Sequence, residues 1–533
     1  MRGSAFIAAV LLAAPAFAQE SGDADAGFGL IDPAQSPPVE VPASVAPEPA
    51  PIGTPDPVVT PPEAAPEPAP SWIHKVEATG YFSARAGWSR SHIGGLVPTD
   101  DLPQLSLLGE LNGQVKVKYL ERSFIYGDVS LIAQAGGFFR GTDKDGNEVD
   151  VRDHNLPAIQ PAVSINELYV LHEFLPALNV LVGKKRIVWG SGQAYNPTDL
   201  LNVRKDPTDP TFQRAGAWMA RVEVPLESLA FTAVFAPSVL KQVSGIPQNF
   251  VAWPDWDKKD EQAHYLLALR AYALIADADV NLMVFFSNLY GDSFKDKVRV
   301  GGSFSRYFFT DYELHAELLM GTGSSRDYLD HDCTVSGMAA FACSQSAKAF
   351  IGKSKLNDDS YYPKLLVGTR RQFNDESFLS LEYLYQAEGL SKTELQDQAN
   401  ALDLIQQAKA LGVPANQIPN ISSQTTTDGV PQRFSFDPVA RHYLFITYNK
   451  PRIFDDFTAQ LVMIANLQDL STIWSPSISW STTEWLTLSL LGFFPVRGLD
   501  SLGAKRMNTD ERVTEYGLSP IAYRAVFEAR IFY

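Results

Sequence analysis

The stretch Tyr523-Arg-Ala-Val-Phe-Glu-Ala-Arg-Ile-Phe-Tyr533 closes the chain, and its pattern decides the fold. Tyr523, Ala525, Phe527, Ala529, Ile531 and Tyr533 share one face, and Arg524, Glu528 and Arg530 share the other. Side chains of a β-strand alternate in direction, so this is a strand with one apolar side and one charged side. A soluble β-sandwich and a barrel in a membrane both use such strands. The rest of the chain separates them.

Working outward from that strand, the same period of two recurs back to Trp72. It predicts about eighteen strands, near 75–88, 105–120, 123–136, 164–174, 178–189, 214–225, 228–237, 262–275 and 278–290. The series continues at 296–309, 311–322, 361–373, 377–388, 441–450, 456–467, 472–482, 485–496 and 521–533. Glu110, Asn112, Gln114, Lys116 and Lys118 oppose Leu111, Val115, Val117 and Tyr119; Glu313, His315 and Glu317 oppose Leu314, Leu318 and Met320. The connections are sorted by parity. Every second link is tight, as at Glu121-Arg122, Ala276-Asp277 and Asn374-Asp375-Glu376, and the intervening links are mostly long. A sandwich has no reason to sort its loops this way, whereas an outer-membrane barrel has short periplasmic turns and long outer loops. Residues 72–533 therefore read as all-β, a transmembrane antiparallel barrel. Aromatic pairs at strand ends, such as Tyr307-Phe308-Phe309 and Phe493-Phe494, suit interfacial girdles.

The N-terminal part agrees with export. Met1-Arg2, the apolar run Phe6 to Ala14 and Ala16-Phe17-Ala18 form a signal peptide over 1–18, with Gln19 beginning the mature chain. No segment is apolar for long enough to be a spanning helix, and the closed barrel is the other structure lipid allows. Residues 19–71 are compositionally distinct, with fourteen prolines between Asp32 and Pro70 and no Lys or Arg from Gly3 to His74. Such a segment cannot bury enough apolar surface to order itself. It is expected to be a disordered periplasmic linker reaching about 120 Å at roughly 3.1 Å per residue. It serves as a passive spacer or as a docking arm for a periplasmic partner or the cell wall. The terminal Tyr533 resembles the assembly signal of bacterial outer-membrane barrels, which implies recognition by the barrel-assembly machinery. Membrane lipid and lipopolysaccharide would then surround the wall.

The formal charge of −17 excludes a nucleic-acid partner, which needs concentrated positive charge. Cys333 and Cys343 fall in one outer loop of an exported chain and are expected to form a disulfide. Asp143-Lys144-Asp145-Gly146-Asn147 imitates a calcium loop but lacks its end ligands, so a turn on Asp145-Gly146 is the expectation. Asp330, His331 and Asp332 lack a further spaced ligand, and no metal or cofactor is expected. The histidines sit in no nucleophile motif; His315, between Glu313 and Glu317, is the best candidate base and fits a hydrogen-bonded wall better. No enzyme is expected. Residues 393–411 read as an amphipathic helix, either a lid on neighbouring loops or a plug.

The most distinctive loop runs from Gly183 to Arg214. Its Arg186-x-x-Trp189-Gly190, then Asn196-Pro197-x-Asp199-x-x-Asn202, resembles a signature of large outer-membrane barrels that include alginate-export-like and related porin-like proteins. The resemblance implies passage of a solute through the barrel. The pore-shaping set would be Lys184, Arg186, Trp189, Asn196, Asp199, Arg204, Lys205 and Arg214. Alternation puts Lys116, Lys118, Arg221, Arg270, Arg299, Arg441 and Arg524 on the lumen wall with Glu313, His315, Glu317, Glu382 and Glu528. Signs are mixed, so wall pairs are expected rather than a single-sign filter. The functional expectation is a porin-like channel for a polar or anionic solute or polymer. The alternative is a structural or adhesion barrel with a filled lumen and functional outer loops.

Overall fold

A computed structural model describes residues 75–91, 105–135, 140–142, 148–150, 160–202, 216–237, 265–287, 297–323, 360–397, 399–400, 438–505, 512–518 and 521–533. The signal peptide, the linker, Arg204, Lys205, Arg214 and both cysteines lie outside these residues.

The strands are β1 Lys75–Ser91, β2 Leu105–Lys118, β3 Phe124–Ala135, β4 Arg140–Thr142, β5 Glu148–Asp150, β6 Gln160–Leu175, β7 Leu178–Lys185 and β8 Ala217–Pro225. Next come β9 Leu229–Pro237, β10 Tyr265–Ile275, β11 Ala278–Ser287, β12 Lys297–Phe308, β13 Tyr312–Gly321, β14 Lys364–Gln372 and β15 Phe378–Gln386. The last are β16 His442–Ile453, β17 Phe457–Asn466, β18 Thr472–Thr483, β19 Leu486–Val496, β20 Ala504–Lys505, β21 Arg512–Val513 and β22 Ile521–Phe532. β4 pairs with β5, and β20 with β21, as small loop hairpins. The β4–β5 hairpin brackets residues 143–147, where a turn is expected.

The other eighteen strands form one antiparallel sheet in which each pairs with its neighbours in sequence. β22 pairs back onto β1, from Tyr81 opposite Phe532 to Trp88 opposite Ala525, and the sheet is closed. Gly80 and Tyr533 exchange backbone hydrogen bonds of 3.0 Å at the seam. This is an outer-membrane-type barrel with the strand number the sequence predicts. Tight turns alternate with longer links except at residues 467–471, a short link on the long-loop side. At Ala276-Asp277 both residues take positive φ, 50° and 60°, as a two-residue type I′ hairpin requires.

The wall is inverted relative to a soluble protein. Leu282 is 66% exposed, Val182 57% and Leu111 43%, whereas Asn112, His315 and Glu528 are 0%, 0% and 1% exposed. The apolar side of each strand looks outward, as lipid demands. Near the turn end, Arg371 lies 4.9 Å from the ring centroids of Tyr312 and Phe373, and Arg306 lies 5.1 Å from that of Phe308. Such cation–aromatic pairs suit an interface where one end of a side chain is dry and the other wet. Phe493, expected in a girdle, instead points inward and is buried, while its neighbour Phe494 is exposed.

The fifth barrel strand stops earlier than its predicted end at 189. Gly183 takes φ +136°, where an added Cβ would meet Leu168 O at 2.3 Å, and β7 ends at Lys185. The chain then turns into the barrel.

Candidate functional site

Residues 186–202 cross the interior. Ile187, Trp189 and Leu201 are buried against inward-facing Leu181, Met219, Val234, Leu266, Phe285 and Leu319. Ala194 and Tyr195 pack in a second cluster with Leu366, Leu384, Tyr443, Phe445 and Ile464. The loop thus covers an apolar half of the inner wall, from β7 round to β17. Each large side chain buried this way is worth about 1.5–3 kcal/mol.

Two wall carboxylates hold the loop's backbone. Glu317 Oε1 accepts from Ser191 N (2.6 Å), Gly192 N (2.6 Å) and Asn196 Nδ2 (3.0 Å). Its Oε2 accepts from Thr198 N (3.2 Å) and Thr198 Oγ1 (2.7 Å). Glu382 Oε1 accepts from Gln193 N (2.5 Å), and Oε2 from Ala194 N (2.8 Å). Hydrogen bonds to a charged acceptor contribute roughly 1.5–3 kcal/mol each. The Trp-Gly-Ser-Gly sequence makes this grip feasible. Gly190 has φ +97°, and a Cβ there would sit 2.5 Å from Glu317 Oε1. A Cβ on Gly192 would sit 2.1 Å from Tyr195 O.

His315 joins the two carboxylate strands. It donates from Nε2 to Glu382 Oε1 at 2.9 Å, and its Nδ1 lies 3.7 Å from Glu313 Oε1. The ring passes over β14 at Gly368, where a Cβ would come within 2.2 Å of Nε2. Glu313 also accepts from Ser305 Oγ at 2.9 Å. The histidine considered as a base is therefore enclosed in the loop's anchorage.

The loop motif itself closes on its own backbone. Asn202 Oδ1 accepts from Ile187 N (3.2 Å), and Asn202 Nδ2 donates to Ile187 O and to Asp199 Oδ1, the latter at 2.6 Å. Asn196 and Asp199 are clasp residues in this geometry, and Trp189 is a packing residue whose ring lies 5.8 Å from Phe285. Lys184 is turned into the wall, where Nζ donates to Ile165 O at 2.7 Å. Arg186 fixes the loop entry through its backbone N, which donates to Glu167 Oε1 at 2.7 Å. Arg441 precedes β16 rather than lying in a strand; Nε donates to Gly389 O at 2.9 Å.

Elsewhere the wall is polar. Glu528 pairs with Arg85 (3.1 Å) and Arg530 (2.8 Å), and Arg221 pairs with Glu223 (3.1 Å). Asp128 accepts from Asn112 (2.6 Å) and Asn166 (2.9 Å). Lys118 reaches Glu77 at 3.6 Å near the turn end, while Arg299 and Arg524 are buried in the wall. The inner face of β18 and β19 carries small hydroxyls, Ser475, Ser477, Ser479, Thr487 and Ser489, of which Ser475, Thr487 and Ser489 are buried.

Four inward cations stand apart. Lys116 Nζ lies 4.4 Å from the Phe124 ring centroid, and Lys185 Nζ lies 4.0 Å from the Tyr169 centroid and donates to its hydroxyl at 2.7 Å. Arg270 donates to Asn281 Oδ1 at 2.7 Å, and Arg370 lies 4.5 Å from the Phe378 centroid. Among the described residues none of the four makes an ion pair. Lys185 and Arg370 did not stand out from the sequence, although strand alternation places both inward.

At the long-loop mouth, Glu515 accepts from Tyr443 Oη (2.7 Å) and Asn466 Nδ2 (2.7 Å), and Glu515 N donates to Asp469 Oδ2 (2.6 Å). Burial and the Glu515 carboxylate push the Tyr516 phenol far above its usual range. The predicted helix is described at 392–397 and 399–400. It is entered by a capping box in which Ser391 N donates to Glu394 Oε2 (2.7 Å) and Glu394 N donates to Ser391 Oγ (3.3 Å). Its Leu395 packs with Leu390 and Val439 of neighbouring loops.

No family model matches the chain, and no characterised protein matches it in sequence. Among solved structures it is similar in fold to OpdK of Pseudomonas aeruginosa with vanillate (TM-score 0.47, 8% identity, covering 87% of this chain and 100% of that one). OccAB1 of Acinetobacter baumannii is similar too (TM-score 0.45, 8% identity, 87% and 97% covered), as is OprB of Pseudomonas putida (TM-score 0.37, 10% identity, 86% and 94% covered). At this level the similarity is one of fold, and the closed register of eighteen strands establishes that fold independently.

Proposed function

We propose that the chain is a channel of the outer membrane that passes a polar or anionic solute through a lumen narrowed by residues 186–202. The observation that carries this reading is an imbalance in what the lumen offers. Its acids are already engaged, by loop amides at Glu317 and Glu382, by side-chain amides at Asp128 and by arginine at Glu528. Lys116, Lys185, Arg270 and Arg370 rest instead on rings or a neutral amide, with N–H donors to spare. In a confined polar path such fixed cations act on a passing anion more strongly than at an open surface. The same reading has the chain exported, cleaved after Ala18 and tethered by residues 19–71 in the periplasm.

Reversal potentials in planar bilayers under a salt gradient test it. The wild type is expected to favour anions, and the joint replacement of Lys185, Arg270 and Arg370 by Gln to lose that preference while still conducting. A correctly folded protein that never conducts would support the filled structural barrel instead.

A further inference from the structure

We propose that Arg306 and Arg371 clamp the phosphate of an anionic phospholipid on the outward face of β12–β14, at the turn end of the barrel. The inference does not depend on what the lumen passes, only on lipid covering the apolar face. Ser305 bonds Glu313 inside and Arg370 rests on the inward Phe378, so alternation turns their neighbours Arg306 and Arg371 outward. An arginine on a lipid-facing wall is costly unless an anion meets it.

Register brings the two guanidinium groups together. Phe308 and Tyr312 are directly opposite each other on β12 and β13. Arg306 lies 5.1 Å from the Phe308 centroid, and Arg371 lies 4.9 Å from that of Tyr312. Each cation therefore rests on one of two adjoining rings. Contact with a ring occupies a face of the guanidinium and leaves N–H donors for a phosphate, which arginine can bind with two at once. Arg306 Nε meets no acceptor, and Arg306 makes no ion pair among the described residues. Arg371 Nε lies 3.9 Å from Asp311 Oδ2, beyond hydrogen-bond reach. The next cations along this rim, Lys450 and Arg452 of β16, are taken by Asp375 and Glu376.

The surroundings select an amphipathic occupant. Arg306 is directly opposite Leu314, and Leu314, Leu318 and Val367 continue the exposed apolar face away from the turns. A ligand with a phosphate at the arginines and hydrocarbon along those residues fits both; a free anion fits only the first. Short turns belong to the periplasmic side of such barrels, which puts the site in the periplasmic leaflet.

Native mass spectrometry of the folded barrel, released from neutral detergent, reads the site with phosphatidylglycerol and phosphatidylcholine of identical chains as probes. The wild type should retain phosphatidylglycerol in preference to phosphatidylcholine. R306Q and R371Q should each weaken that preference roughly fivefold, the effect of one cation near a membrane surface. R122Q removes a cation from a turn at the same end, where Arg122 pairs with Glu173 at 3.4 Å, and should leave retention unchanged. R306K/R371K keeps both charges without the planar fork and should fall between wild type and the Gln variants. Heat-modifiable mobility on gels reports folding, and if a Gln variant does not fold the wild-type lipid comparison still decides. Equal retention of the two lipids by the wild type overturns the proposal, as does an undiminished preference in R306Q/R371Q. Retention of inorganic phosphate in place of the lipid would make this a free-anion site and overturn it too. Retention of neither lipid overturns it together with the membrane reading.

Discussion

Gly190 and Gly192 do at the residue scale what no other residue type could do at these positions. A loop that points consecutive amides at a buried carboxylate must bring its backbone within hydrogen-bond distance, and a side chain on that surface would hold it off. Gly190 at φ +97° meets both demands, left-handed backbone and no Cβ next to Glu317. Gly190→Ala should therefore destabilise the folded barrel by about 1–3 kcal/mol, the range for a strained non-glycine residue. Ser191→Ala makes the contrast, because Ser191 grips Glu317 with its backbone N while its hydroxyl makes only long contacts of 3.4 and 3.5 Å. It should change stability little. Denaturant unfolding of both variants in detergent, beside wild type, checks the pair; equal losses would mean that the glycine geometry is not what holds the loop.

At the element scale, the tight turns carry chemistry of their own. Asp375 in the turn between β14 and β15 accepts from Lys450 Nζ (2.7 Å), Ser377 Oγ (2.5 Å) and Ser377 N (3.1 Å). The lysine, with the serine behind it, holds its carboxyl down to about 2. A depressed folded value means the stabilisation is complete above the ordinary carboxylate range and disappears as pH falls through that range toward about 2. Asp375 is exposed, so the effect is small and weakens with salt. The unfolding midpoint of D375N should lie slightly below wild type at neutral pH, with the gap closing in acid. A gap independent of pH would assign the turn's contribution to shape rather than charge.

Elements of this kind were legible in the chain because each strand is encoded locally, by alternation between turn residues a few positions apart. Even the shortened β7 has a local mark in Gly183. The grip of Glu317 and Glu382 on the loop was not legible, because its partners are remote: Glu317 lies 125 positions from Gly192, and Glu382 lies 188 from Ala194. The apolar inner half was hidden for another reason. In β10 the run Leu266-Leu267-Ala268-Leu269 is apolar on both faces, so alternation cannot say that Leu266 packs under a loop while Leu269 faces outward. The motif of Trp189, Asn196, Asp199 and Asn202 marks a loop that turns into the barrel. It encodes how that loop closes on itself, while Lys116, Lys185, Arg270 and Arg370 sit on the surrounding strands.

For the whole molecule, the decisive property is which side of the wall is dry. In a water-soluble barrel, an apolar residue that looks outward at a strand's midpoint is the cheapest place to introduce a charge. Here the same position should be the most expensive. Leu282 lies in the middle of β11 at 66% exposure, on the face opposite Asn281, which bonds Arg270 and Ser303 inside. If lipid covers that face, Leu282→Arg should cost about 2–4 kcal/mol, the figure for a cation at the bilayer midplane, falling toward zero for the same change near either rim. Val298, at the start of β12 and 47% exposed, supplies the rim position. Folding both variants into lipid vesicles and titrating with denaturant gives the depth profile. A steep penalty at Leu282 with a shallow one at Val298 places the wall in a membrane. Equal and small penalties would mean that water bathes the apolar belt, and the outward leucines and valines would then need a protein partner to cover them.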